Sequence, residues 1–271
     1  MAAVTVILSA SSDIGLALAQ RRLAAGDEVW GTYRRASEAT RALVARGARL
    51  VEADFSDPAS VQRACRQLAP DGWDELVLAP GMLEPVGPFV EADFARWEQS
   101  LDVNLVQQAR ATHALLPRRR DNAMVLFFAG GGSNSAPPCF SAYTLSKVAL
   151  IKLTELLQAE LPDTRVCILG PGWVNTKIHQ ETLRAGGRAG EALAATRDRL
   201  ARDAFVPMAD VLDCIDWLRT QPREVIGGRN FSVAHDPWRD PAFAKHLADH
   251  PDHAKLRRAG NDAFLPESPR A

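Results

Sequence analysis

The 271 residues carry 32 lysines and arginines against 33 aspartates and glutamates, a formal net charge of −1. A chain without a basic excess has no electrostatic attraction for nucleic acid or for an anionic membrane surface, so we expect neither as a partner. With 46% hydrophobic residues, the chain can bury the core of one large α/β domain.

The four cysteines and the apolar runs of the chain bear on its location. The cysteines are scattered with no CxxC spacing, which is typical of reduced thiols in the cytosol; they are Cys65, Cys139, Cys167 and Cys214. No apolar stretch approaches the ~18 residues of a membrane span, and the N-terminal apolar run has no basic region before it, as a signal peptide would. We therefore predict a cytoplasmic protein.

Short β-forming runs alternate with helical patterns along the chain, as in βαβ units. The predicted strands are Val4–Leu8, Glu28–Thr32, Arg49–Ala53, Glu75–Leu78, Met124–Phe128, Val166–Leu169 and Phe231–Ala234. Helices are predicted over Ile14–Ala25, Asn104–Leu116 and Ser141–Leu161. Right-handed crossovers between these strands predict a doubly wound, parallel, seven-stranded Rossmann-type sheet with helices on both faces.

The pattern predicts one domain, a dinucleotide-binding and catalytic domain over residues 1–236. Residues 177–207 interrupt the alternation, and we expect them to form a flap over the site. Residues 237–271 contain Pro-bounded pieces and are expected to pack on the same domain or on a partner subunit.

The first strand-to-helix turn is a candidate phosphate-binding turn. Backbone N–H groups at a helix N-terminus cradle a pyrophosphate, and small residues let the backbone come close to it. The candidate residues are Ser9, Ser11, Ser12, Asp13, Ile14 and Gly15. Ser9 and Asp13 stand where glycines are expected, so an ordinary loop is the alternative.

Arg34 and Arg35 follow the second predicted strand, where an acidic residue would bind the ribose hydroxyls of NAD. Arginine accommodates the 2′-phosphate of NADP instead. We therefore predict NADP(H), with Arg34 as the first choice and NAD(H) as a possible cofactor. The alternative is a solvated arginine pair at a helix start.

Tyr143 and Lys147 lie four residues apart, which places both side chains on one face of a predicted helix. A lysine ammonium beside a phenol favours the phenolate, so we expect the tyrosine pKa to fall below its usual ~10. Tyr143 could then act as a general acid or base near neutral pH.

This pair follows the glycine-rich loop Ala129–Gly132 and precedes the segment Gly170–Thr176, which reads Gly-Pro-Gly-Trp-Val-Asn-Thr. In these motifs and their order, the chain resembles the short-chain dehydrogenase/reductase family over residues 4–234. The resemblance implies that Tyr143 exchanges a proton with the substrate oxygen and that Lys147 holds the nicotinamide ribose. It also implies that Asn104 interrupts its helix and positions a water molecule of the proton relay.

The same resemblance implies further cofactor contacts and a homodimer or homotetramer. The implied cofactor-binding residues are Asp54, Phe55, Gly81, Pro171, Gly172, Val174 and Thr176. The subunit contact would use the helices of Asn104 and Tyr143. Leucines that could form that contact, or equally pack in the core, are Leu150, Leu153, Leu156 and Leu157.

The chain departs from the family at two places, one of which is the run after the fourth strand, where Leu78–Gly81 keeps only the glycine. The other is the position of the catalytic serine. In the family this serine lies thirteen residues before the tyrosine, where this chain has Gly130. We predict that Ser133 replaces it as the group that orients the substrate carbonyl. The alternatives are Ser135, a loop N–H acting as an oxyanion donor, or no side chain at all.

Basic residues of the expected flap suggest a polar or anionic substrate, such as a phosphorylated or nucleotide-linked sugar. They are Lys177, His179, Arg184, Arg188, Arg197, Arg199 and Arg202, and the alternative is the charged outer face of an amphipathic helix. His246, His250 and His253 indicate a solvated surface rather than a metal site, because Pro251 should end the helix before the third. We predict no metal.

Together these features predict an NADP(H)-dependent enzyme that interconverts a ketone and a secondary alcohol on a small polar substrate. One alternative is a dinucleotide-binding regulatory protein without catalysis. A second is a sugar epimerase that works by transient oxidation.

Overall fold

A computed structural model describes residues 2–132 and 134–257. Its seven strands form one parallel sheet in the order β3-β2-β1-β4-β5-β6-β7. They are β1 Val4–Leu8, β2 Glu28–Tyr33, β3 Arg49–Glu52, β4 Trp73–Leu78, β5 Arg119–Phe128, β6 Arg165–Gly170 and β7 Asn230–Ser232. The doubly wound fold predicted from the sequence is confirmed.

Helices connect the strands, and several begin at a serine or aspartate whose side chain accepts a hydrogen bond from the first turn. The first six are α1 Asp13–Ala24, α2 Glu38–Ala45, α3 Pro58–Gln67, α4 Phe94–Leu101, α5 Gln107–Leu115 and α6 Ser141–Glu160. The others are α7 His179–Ala185, α8 Glu191–Ala201, α9 Met208–Thr220, α10 Arg223–Ile226 and α11 Pro241–Asp249.

Successive residues of the central strands enter two different cores, one on each face of the sheet. Ile7 and Val77 belong to the first core, whereas their neighbours Val6 and Leu76 belong to the second. Because both faces are covered, these strands are mostly apolar on both faces rather than alternating between apolar and polar residues. This arrangement leaves the edge where the strands end as the open side of the sheet.

The predicted helix at Asn104 begins too late. Asp93 caps α4, and the helix continues through a π-helical turn, Asp102–Val106, into α5. The extra residue in the π turn shifts the apolar spacing, so that the sequence pattern shows only the second half. Strand β5 also begins earlier than the predicted Met124. Its first residues are polar, so the apolar pattern in the sequence does not include them.

The chain after β7 packs on the same domain as far as the structure describes it. Phe243 and Leu247 of α11 join the first core, and the backbone N–H of Asn230 donates to the carbonyl of Ala254 at 2.8 Å. Residues 258–271, the end of the predicted tail, lie outside the described residues.

A buried ion pair joins α1 to the sheet at the edge opposite the ends of the strands. One edge of the Arg22 guanidinium donates to Glu75, with Nε–Oε2 at 2.7 Å and Nη2–Oε1 at 2.9 Å, and both residues are almost fully buried. Nη1 of Arg22 donates to Asp216. Thr5 donates a further hydrogen bond to the Glu75 carboxylate at 3.0 Å. Removal of one partner from such a buried pair is costly, because the remaining charge lies where little solvent can compensate it.

We expect Glu75→Ala to lower the free energy of unfolding by about 3 kcal/mol, because the buried Arg22 would lose both hydrogen bonds to Glu75 and keep its ion pair with Asp216. Urea denaturation measures this change. The exposed pair between Arg202 and Asp198 provides the control, and Asp198→Ala should change stability by no more than about 0.5 kcal/mol. Equal effects of the two substitutions would contradict the structural role of Glu75.

Candidate active site

One cavity of about 1470 Å³ opens where the parallel strands end. The predicted site residues that line it are Ser9, Ser11, Ser12, Asp13, Ile14, Arg34, Asp54, Phe55, Gly81, Tyr143, Lys147, Pro171, Gly172, Val174 and Thr176. Gly15, Arg35 and Asn104 do not line it, and Ser133 lies outside the described residues. The fold thus gathers most of the predicted residues because parallel strands all end at the same edge.

The turn between β1 and α1 is tightly wound. Ser9 adopts a left-handed backbone with φ of 60°, which is unusual for a residue with a side chain. Ser12 caps α1 by accepting from the backbone N–H of Gly15 at 3.1 Å. A Cβ on Gly15 would lie 2.5 Å from the carbonyl oxygen of Ser9, so only glycine fits there.

Asp13 ties this turn to residues 177–207, which we call the flap segment. Its Oδ2 accepts from the backbone N–H of Lys177 at 2.7 Å, and the Lys177 ammonium lies 3.4 Å from Oδ1. A carboxylate disfavours phosphate near the helix N-terminus, and the ammonium of Lys177 offsets part of that charge.

Arg34 lines the cavity beyond the end of β2, near Asp54. Burial alone would raise the pKa of Asp54, but hydrogen bonds from Ser56 and the charges of Arg34 and Arg35 hold it below its usual value. The carboxylate therefore stays ionised at neutral pH. Both arginines act on this corner of the site, although only Arg34 lines the cavity.

Asn104 is fully buried in the π-helical turn, behind the cavity wall. Its side chain pairs with both backbone groups of Met82: the amide nitrogen donates to the carbonyl at 2.7 Å, and the amide oxygen accepts from the N–H at 2.9 Å. The Asn104 carbonyl accepts from the side chain of Gln108 at 2.8 Å. The interruption of the helix agrees with the expectation, and the side chain fixes the loop after β4.

Tyr143 and Lys147 project from the first turns of α6 into the same part of the cavity. The Lys147 ammonium donates to the carbonyl of Phe128 at 2.9 Å and lies 5.7 Å from the centre of the Tyr143 ring. Burial, and then the charge of Glu181, raise the pKa of Tyr143 to about 12. Burial lowers the pKa of Lys147 to about 8.

The lowered tyrosine pKa expected from the sequence is therefore wrong for this structure. The reason is that desolvation of the phenol exceeds any attraction by Lys147, whose ammonium is bonded to a carbonyl instead.

Gly130 lies directly against Tyr143. A Cβ on Gly130 would lie 2.7 Å from the Tyr143 hydroxyl oxygen and 2.9 Å from Cγ of Lys147. The neighbouring Gly131 faces open space instead, because in the described part of the chain no residue other than its two neighbours has a heavy atom within 4 Å of where its Cβ would lie. The end of β5 can therefore pass Tyr143 this closely only because position 130 has no side chain.

Glu181 is a site residue that the sequence reasoning missed. It lies on α7 in the flap segment and lines the cavity. Its Oε2 accepts from the backbone N–H groups of Leu83 at 2.7 Å and Glu84 at 2.9 Å. Burial raises the pKa of Glu181 despite these hydrogen bonds. The only signal in the sequence is an acidic residue within the expected flap, and nothing there links it to position 83.

The basic residues of the flap segment divide between the cavity and the outer surface. Only Lys177, His179 and Arg184 of that set line the cavity. Arg199 lies over the ring of Trp173 at 4.5 Å, and Arg202 pairs with Asp198 on the exposed side of α8. The charged outer face therefore accounts for most of the arginines.

The three histidines near the end of the described chain lie together. Nε2 of His246 is 3.3 Å from Nδ1 of His253, and the ring of His250 stacks on that of His246. Within residues 2–132 and 134–257, no group of three or more His, Cys, Asp or Glu side chains is placed to hold a metal ion. None of the helices in that part of the chain combines the length and apolar character needed to span a bilayer.

The fold is a Rossmann-type α/β fold, and the cavity opens at the edge where its strands end. A family model for short chain dehydrogenase matches residues 3–186, and the chain belongs to this family of oxidoreductases. An uncharacterized oxidoreductase of Schizosaccharomyces pombe is 26% identical over 121 residues, 44% of this chain and 48% of that protein. The short chain dehydrogenase pigC of Monascus ruber is 26% identical over 191 residues, 69% of this chain and 60% of that one. The matches thus span about half of these relatives' length.

Another relative is matched over most of its length. Serine 3-dehydrogenase of Rhizobium radiobacter is 26% identical over 235 residues, 83% of this chain and 91% of that protein. Among solved structures, the KRED1-Pglu enzyme has a TM-score of 0.76 at 24% identity, covering 84% of this chain and 99% of its own. Aldohexose dehydrogenase of Thermoplasma acidophilum has a TM-score of 0.71 at 18% identity, covering 87% and 96%. These structural matches show the shared fold.

We expect Gly130→Ala to lower kcat/KM by about a hundredfold, because the methyl group would displace the Tyr143 hydroxyl. Gly131→Ala is the matched control and should leave kcat/KM within about twofold, since its methyl group would enter open space. Steady-state kinetics and thermal unfolding of both variants check this. Full activity in a folded Gly130→Ala protein would show that the close contact is not needed.

Proposed function

We propose that this protein is an NADP(H)-dependent oxidoreductase that interconverts a ketone and a secondary alcohol on a small polar substrate. One observation carries the proposal. Tyr143 and Lys147 face a single cavity that continues to the tight turn after β1 and to Arg34 after β2. A proton-transfer pair and a dinucleotide-sized space therefore share one opening.

The residues along the cavity suit a dinucleotide. The turn after β1 leaves no room for a side chain at Gly15 and presents the N-terminus of α1, which favours a pyrophosphate. Asp54 and Phe55 would hold the adenine, and Arg34 the 2′-phosphate. Lys147 and the segment from Pro171 to Thr176 would hold the nicotinamide end. When bound, the dinucleotide supplies or accepts the hydride.

Tyr143 exchanges a proton with the substrate oxygen. With a pKa of about 12 it is protonated at neutral pH, so that it can donate a proton when a ketone is reduced. In the oxidation direction the same hydroxyl must first lose its proton. Lys147 is still largely protonated at pH 7, and its positive charge favours the phenolate that results.

We further propose that Gly130 stands in the place of the family serine, so the substrate oxygen is oriented by another group. Ser133 remains the first candidate from the sequence. Ser135 lines the cavity and is the alternative within the described residues. Asn104 would support the proton relay by keeping the loop after β4 in place.

A homodimer or homotetramer is part of the proposal. Of the four leucines considered for the subunit contact, Leu150 is buried and Leu153 and Leu157 pack against the second core, which leaves Leu156 exposed. Large apolar side chains exposed on α4, the π turn and α6 give the contact more area; they are Phe94, Val106, Leu145 and Leu156. The cytoplasmic location stays a prediction from the cysteines.

Binding and turnover of NADPH test the proposal, with Tyr143→Phe beside the wild type. Fluorescence titration should show NADPH binding by both proteins, whereas carbonyl reduction should fall by about 10²–10⁴-fold in the variant. In the wild type, alcohol oxidation should rise with pH, because the pKa of Tyr143 lies near 12. No binding of either nucleotide would overturn the function, and an unchanged rate in Tyr143→Phe would overturn the role of the tyrosine.

Arg34→Asp tests the choice of nucleotide. Loss of a charge-assisted hydrogen bond to the 2′-phosphate should weaken NADPH binding by about ten- to hundredfold. NADH binding should change little, because NADH has no such phosphate. Arg41→Ala, an exposed arginine on α2, is the control. Equal losses for both nucleotides in Arg34→Asp would contradict the assignment to NADP.

A further inference from the structure

Glu181 has one carboxylate oxygen in use and one without a partner. Oε2 accepts from the backbone N–H groups of Leu83 and Glu84. Within residues 2–132 and 134–257, no donor lies within hydrogen-bond distance of Oε1. The side chain lines the cavity and is close enough for its charge to act on Tyr143. A hydrogen-bond acceptor is therefore available in the part of the cavity where the substrate must lie.

The charges around Glu181 do not cancel its own. Glu84 lines the same wall, but its carboxylate has an ion-pair partner in Arg96 at 3.7 Å. Arg184 lies one helical turn from Glu181 on α7, and its charge lowers the pKa of Glu181, yet the two form no ion pair. In the described part of the chain, no carboxylate lies within ion-pair distance of Arg184 either. A carboxylate and, nearer the rim, an exposed guanidinium thus remain open to the cavity.

Partial burial of Glu181 makes the carboxylate costly unless a donor compensates it. Desolvation is the first cause of its raised pKa, and the carboxylate of Glu84 adds to it. A cationic group on a ligand can replace the hydration that burial takes from the Glu181 carboxylate. A charge-assisted hydrogen bond is about twice as strong as a neutral one. A hydroxyl group would bind the same oxygen, but it would not distinguish a carboxylate from an amide.

We propose that Glu181 determines specificity by binding an ammonium group of the substrate, while Arg184 at the rim attracts its carboxylate. This inference rests on the function proposed above and names its substrate class: β-hydroxy-α-amino acids and related 1,2-amino alcohols. In the oxidation direction, the carbinol carbon gives its hydride to NADP⁺ and the hydroxyl gives its proton through Tyr143. The products are the amino ketone, NADPH and a proton.

Four probes separate the two charges on the substrate. L-threonine carries both an ammonium and a carboxylate beside a secondary hydroxyl. 1-Amino-2-propanol lacks the carboxylate, 3-hydroxybutyrate lacks the ammonium, and 2-propanol lacks both. The three chiral probes are used with the same spatial arrangement at the carbinol carbon, whereas 2-propanol has no stereocentre. Both kcat/KM with NADP⁺ and the shift in thermal unfolding temperature at a fixed probe concentration are measured.

Glu181→Gln is the test variant, because glutamine keeps an oxygen that accepts from Leu83 and Glu84 and removes only the charge. The wild type should prefer the ammonium probes to their counterparts by about tenfold or more, and the variant should lose this preference. Glu191→Gln, on the exposed surface of α8 and outside the cavity, should keep it. Glu181→Asp, which keeps the negative charge, should retain part of the preference for the ammonium probes that Glu181→Gln loses.

The pH profile separates specificity from a merely structural role. Affinity for 1-amino-2-propanol should fall at acid pH, from a pH above the usual glutamate range, because the pKa of Glu181 is raised. The groups that face this carboxylate are Glu84, Arg184 and Tyr143. Glu181→Gln should remove that dependence.

Three results would overturn the inference: no unfolding shift with either ammonium probe, no preference in the wild type, or an unchanged preference in Glu181→Gln. Failure of the proposed function looks different. In that case neither nucleotide binds, although the ammonium probes still raise the unfolding temperature of the wild type alone.

Discussion

The contact between Gly130 and Tyr143 is the constraint on which the arrangement of the site depends. The tyrosine hydroxyl lies where a Cβ at residue 130 would be 2.7 Å away. Lys147, on the same face of α6, donates to the carbonyl of Phe128, so two contacts join the first turns of this helix to the end of β5. A side chain at position 130 would therefore move the Tyr143 hydroxyl, and in the function proposed here a donor for the substrate oxygen would come from elsewhere in the cavity.

The central strands could be predicted because burial on both faces selects a run of mostly apolar residues, as in β1 and the end of β5. β1 has the predicted bounds, and the other strands differ only at their ends. The helix before Asn104 could not be predicted in full, because the π turn over Asp102–Val106 inserts a residue and breaks the helical period. That same break turns the Asn104 side chain inward to Met82.

Much of the site was also predictable, because the loops after parallel strands meet at one edge. What could not be predicted depends on contacts between distant residues. Glu181 bonds to Leu83 and Asp13 bonds to Lys177, pairs separated by 98 and 164 positions in the chain. The raised pKa of Tyr143 has the same origin, since the flap segment contributes both to its burial and the charge of Glu181.

These two distant contacts hold the start of the flap segment, at residues 177 and 181, against two different loops that line the cavity. Asp13 accepts from the backbone of Lys177 near the turn, whereas Glu181 accepts from the loop after β4 near Tyr143. Each contact uses an acidic side chain, and the negative charge of that side chain disfavours an anionic ligand nearby. In the function proposed here, a dinucleotide would bind beside Asp13, whose charge Lys177 partly offsets, and the substrate would meet Glu181, whose Oε1 accepts no hydrogen bond from the described residues. The cavity therefore combines these two acids with basic residues such as Arg34 and Lys147, and a ligand that carries both signs of charge suits it better than a simple anion.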